Sequence, residues 1–169
     1  MKSLLSCLLS AIILLAIQTG LWPALFPSWA SPNFLLLIVL YLGLHSPGGS
    51  GMFLSWAQGC LLDVFSGTTF GFHGLVFVLV FGATAAGGRQ LNADNILVLP
   101  LTALVGTVAF SLLVVLNLLF FSDADQAWPL VLQALPQQLL LNPLTILLLK
   151  PLLERLVDEA DPPMTASGH

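Results

Sequence analysis

Six apolar stretches, separated by short polar or Gly/Pro-rich breaks, run along the chain at about 4–21, 32–46, 52–65, 71–86, 96–121 and 129–149. None alternates with the dyad period of a lipid-facing barrel strand, and stretches this apolar must satisfy their backbone groups internally. All six are therefore predicted to be helices. The breaks carry local signals. After the first stretch, "WPALFPSWA" supplies two prolines and two tryptophans suited to an interface. Ser31 as N-cap and Pro32 at the first helical position then open the second helix. "PGGSG" at 47–51 ends it. "SGTTFG" at 66–71 reads as a turn in which Gly67 can take positive φ, while Ser66, Thr68 or Thr69 caps the fourth helix. "GGRQLNADN" at 87–95 and "SDADQAW" at 122–128 are polar loops.

Composition decides what surrounds these helices. The chain is 57% hydrophobic and 7% charged, too little polar surface to cover a water-soluble globule of 169 residues. The expectation is a single all-α integral membrane domain over 1–157, with 158–169 a flexible cytoplasmic tail. The formal charge of −4 collects in loops and in the tail, so there is no basic footprint for nucleic acid. The N-terminal run, Ser3 to Leu21, is longer than a signal h-region and close to the length that spans a bilayer, so it reads as an uncleaved helix. With Lys2 cytoplasmic, six spans put Arg89, Lys150 and Arg155 on the same side and leave "SDADQAW" outside without a Lys or Arg. Both termini are then cytoplasmic. The second and third stretches are short for spans, but a five-span count would send those three cations outward.

In lipid, helices associate through small residues and interhelical hydrogen bonds. On helix five, Ala103, Gly106, Thr107, Ser111 and Asn117 share one sector, predicted to face protein. On helix six, Gln138, Asn142 and Thr145 share a side, and Pro143 leaves the carbonyl near Leu139 without its helical donor. Gln138 or a neighbouring helix could satisfy it. Cys7 and Cys60 sit in apolar runs with no CxxC or Cys/His grouping and read as small core residues.

One carboxylate breaks the pattern. Asp63, in "GCLLDVFSGTTFG", is the sole Asp, Glu, Lys or Arg between Lys2 and Arg89. A charge in hydrocarbon costs at least roughly 2.5–3.5 kcal/mol, so it needs partners. It lies in the last turn of helix three, against the negative end of the helix dipole, and the donors nearest in sequence are those of Ser66, Gly67, Thr68 and Thr69. His73 is a further candidate across the hairpin. Tying the hairpin together, contacting a partner protein and handling protons are the three readings of Asp63. Catalysis finds no constellation: there is no G-x-S-x-G, no second intramembrane acid to share a proton, no H-E-x-x-H and no phosphate-binding glycine loop. No cofactor or metal is expected.

"SPNFLLLIVLYLGL", then "GCLLDVFSGTTFGFHGL", then "LLLNPLTILLLKPLLERL" resemble the rod shape-determining membrane protein MreD family of bacteria. The most specific part is G-x-x-x-D-x-x-S-G-x-x-x-G, carried by Gly59, Asp63, Ser66, Gly67 and Gly71. Pro32-Asn33 and Asn142-Pro143 add to it. The loop after helix two, often basic in that family, is "HSPGGSG" here, which argues against its binding an acidic cytoplasmic surface. The resemblance implies a six-helix transmembrane bundle similar to the substrate-binding subunits of energy-coupling-factor transporters. It also implies a non-enzymatic scaffold of the cell-elongation machinery in the inner membrane. The implied partners are MreC and, through it, MreB, the glycan-polymerising membrane protein and its penicillin-binding transpeptidase. The shared fold keeps a vitamin-binding transport subunit as the rival reading.

Overall fold

The computed structural model describes residues 2–21, 24, 31–46, 48–66, 70–89, 97–121 and 128–160, with side chains of 2–8, 21, 120, 121, 128 and 156–160 outside the description. Six α-helices and no strand occur among the described residues: α1 Lys2–Ala16, α2 Phe34–His45, α3 Gly49–Ser66, α4 Phe72–Gly88, α5 Val98–Phe121 and α6 Trp128–Ala160. A π-helical turn, Ile17–Leu21, continues α1.

The boundaries depart from expectation where caps and glycines decide them. Asn33, not Ser31, caps α2: its side chain accepts the amide of Leu36 at 3.2 Å, which puts Pro32 ahead of the helix rather than in its first turn. α3 begins within "PGGSG", because Gly49 and Gly51 are helical. α6 runs to Ala160 instead of about 149, through Pro136, Pro143 and Pro151. Residues 158–160, expected in a flexible tail, are thus helical, and 161–169 lie outside the described residues.

α2 is the hub. Every residue from Phe34 to Leu44 is buried, and the helix touches all five others. A helix apolar on all sides needs neighbours on all sides. At 12 residues it is about 18 Å long, well short of a bilayer core of about 30 Å. Wrapped in protein, it need not match that thickness. Close approach to α2 is set by glycine: a Cβ on Gly106 of α5 would overlap the Leu40 side chain, and one on Gly43 would sit 2.9 Å from Thr84 of α4.

α6 is the opposite. Among its described side chains only Asn142, Ile146 and Leu153 are buried, all on one face, while Leu130, Leu140, Leu144 and Leu148 are exposed. Its 33 residues span about 50 Å, more than the full bilayer with headgroups at about 40–45 Å. Val98–Leu119 and Pro129–Arg155 are long and apolar enough to cross a membrane, and Leu9–Gly20, Phe34–His45 and Phe72–Gly88 are shorter apolar helices. The exterior of the bundle carries Phe53, Trp56, Phe65, Phe70, Leu75 and Leu79, an apolar surface far larger than a water-soluble monomer leaves open.

Candidate functional site

Buried polar side chains mark two junctions in this apolar bundle. The first is the α3–α4 hairpin. Asp63 is 1% exposed on α3, and its carboxylate reaches the start of α4, where it accepts the amides of Gly71 at 2.8 Å and His73 at 3.1 Å. The His73 ring donates from Nδ1 to the same Oδ1 at 2.7 Å, so that nitrogen carries the hydrogen. Gly71, at the N-cap position with φ +91°, has no side chain of its own to offer. Asp63 supplies the missing cap from the preceding helix. The cost of a carboxylate at the negative end of α3 is offset by the positive end of α4, brought beside it by the hairpin.

Glycine lets the two helices come close enough. Gly59 is buried one turn before Asp63, and a Cβ there would run into the backbone of His73 and Gly74. On the reciprocal side, a Cβ at Gly74 would meet Cys60 Sγ at 3.0 Å, which leaves Cys60 a packed core thiol. The rings of Phe72 and Phe110 flank His73 at 4.6 and 6.2 Å between centroids, so α5 closes over the hairpin.

The second junction lies where α2 starts. Asn142 of α6, fully buried, accepts the Asn33 amide at 3.0 Å and donates through Nδ2 to Thr107 of α5 at 2.8 Å. Thr107 passes its own hydrogen back to the Ala103 carbonyl, so every contact in this chain is directional. From the π-helical turn after α1, Gln18 accepts the amide of Phe34 at 3.1 Å. Orphan amides at the start of a fully buried helix cannot turn to water. Three side chains, Asn33, Asn142 and Gln18, take up the amides of Leu36, Asn33 and Phe34, and Asn142 and Gln18 in doing so tie α1, α5 and α6 to α2.

The residues singled out from sequence divide accordingly. Asn33, Gly59, Asp63, Gly71 and Asn142 are in the junctions. Pro32 is buried just ahead of the Asn33 cap, and Pro143 follows Asn142 inside α6. Ser66 is not a partner of Asp63 and does not cap α4; its hydroxyl turns back to the Leu62 carbonyl at 2.7 Å, the local bond open to a serine in the last helical turn. Gly67, Thr68 and Thr69, the other donors expected for Asp63, lie outside the described residues. Gln138 is half-buried and makes no side-chain hydrogen bond among the described residues. Gln18 was missed; its signal was a lone amide in an otherwise apolar first helix. Of the helix-five stripe, Ala103, Gly106, Thr107 and Ser111 are buried, while Asn117 is half-buried.

The chain matches the family model described as rod shape-determining protein MreD over residues 1–159. No curated protein and no solved structure matches it.

Proposed function

The chain belongs to the MreD family, membrane proteins that determine rod shape, and we propose that it acts there as a non-enzymatic scaffold of the cell-elongation complex. On this reading it crosses the inner membrane six times with both termini in the cytoplasm, binds MreC directly, and reaches MreB, the glycan-polymerising membrane protein and the penicillin-binding transpeptidase through it. The observation that carries the reading, beside family membership, is how the buried polar groups are used. Asp63, Asn142, Thr107 and Gln18 hold one helix to another, and the Asn33 side chain caps its own helix while its amide is bound by Asn142. Such a bundle presents a fixed outer surface to neighbours.

Purification from cells in a mild detergent tests this. MreC should come with the chain, and the amount should fall in step with folded protein in junction variants. A retained vitamin with no MreC would overturn the scaffold in favour of a transport subunit.

A further inference from the structure

An apolar cleft of about 180 Å³ opens between α4 and α5, with Leu44 at the end of α2 as its floor. Ala83 and Gly87 line it from α4, and Leu101, Val105 and Ala109 from α5. Thr84 and Thr102 also border it, but their hydroxyls donate to the Val80 and Val98 carbonyls of their own helices. The walls therefore suit neither water nor a polar ligand, both of which need convergent hydrogen-bonding groups. The space is real at Gly87, where an added Cβ would meet nothing within 4 Å.

A cation follows the α4 wall in sequence. Arg89 follows Gly88, a lining residue, at the close of α4; it is exposed and makes no ion pair among the described residues. An apolar slot whose Gly88 wall is followed in sequence by an arginine, with no ion pair among the described residues, fits a molecule with a hydrocarbon chain and an anionic head. A protein helix would fill the slot with apolar side chains and leave the cation without an anion. We propose that the α4–α5 cleft holds an acyl chain of an anionic phospholipid, with Arg89 on the headgroup phosphate.

The test uses the purified full chain, stripped of lipid, exposed to an equimolar mixture of phosphatidylglycerol and phosphatidylethanolamine, and read by native mass spectrometry. The wild type should retain one phosphatidylglycerol in about fivefold excess over phosphatidylethanolamine, the effect of one basic group at a membrane surface. Arg89→Gln should bring that ratio to near parity, whereas Arg89→Lys should keep most of it. Gly87→Leu should lose retention of both lipids, and Gly82→Leu, which enters open space outside the cleft, should behave as the wild type. Thermal melting confirms that each variant is folded, and Ala83→Leu replaces Gly87→Leu if the latter melts early. Equal retention of the two lipids by the wild type, or undiminished retention when the cleft is filled, overturns the proposal. Absence of retained lipid from the wild type overturns it as well and gives the cleft to a protein helix.

Discussion

The two polar junctions solve one problem at different ranges. The Asp63 junction closes a hairpin between residues 8 and 10 apart in sequence, with a charged acceptor. The Asn142 junction joins residues 109 and 35 apart with neutral groups. Both satisfy amides at the start of a helix, fully buried in α2 and part-buried in α4. The difference lies in what a break exposes. Loss of Asp63 leaves two amides and a histidine ring beside a short turn, while loss of Asn142 loosens three helices at once but orphans a single amide, that of Asn33. A local charged cap concentrates energy, and a distributed neutral network spreads it.

The largest effect is expected at Gly59. Its missing Cβ makes room for backbone, which cannot move aside as a side chain can. Gly59→Ala should force α3 and α4 apart and remove most folded protein from the membrane, seen as loss of the monodisperse peak on gel filtration. Asp63→Leu comes next: two unpaired amides at roughly 1–3 kcal/mol each would lower the melting temperature steeply. Asn142→Leu should cost about 1–3 kcal/mol, because Thr107 keeps its bond to Ala103 when Asn142 is gone. If Asn142→Leu proves worse than Asp63→Leu, the distributed network holds the fold and the hairpin cap is secondary. Ser66→Ala should be smallest, within about 0.5 kcal/mol, since its hydroxyl makes one exposed bond within its own turn.

How much of this was legible follows the same division. Apolar runs of helical length gave six helices in the right order, because runs with no polar alternatives leave the backbone no other state in lipid. Asp63 was conspicuous as a lone charge, and His73 could be placed near it from hairpin proximity alone. Two of its backbone partners lie beyond that turn, because the antiparallel return of α4 brings Gly71 and His73 to the carboxylate, while Gly67, Thr68 and Thr69 lie outside the described residues. Asn33 and Asn142 stood out by motif, yet nothing in either segment says that they bond to each other. That pairing depends on how α2 and α6 pack, as does the role of Gln18. α6 runs past the expected end at about 149, into the charged segment that follows. Pro151 is carried within the helix, and Lys150 lies 3.5 Å from Glu154 along its face.

Asp63 caps α4, and rod shape is expected to depend on it only through folding. Asp63→Asn separates the two, since the amide keeps an acceptor for one of the α4 amides and removes the charge. The decisive measurement is rod-shape complementation by Asp63→Asn, normalised to the folded protein and the MreC recovered from the same cells. Shape, folded amount and MreC should fall together and modestly. Loss of rod shape with folded protein and MreC at wild-type levels would contradict it and assign the function to the charge itself.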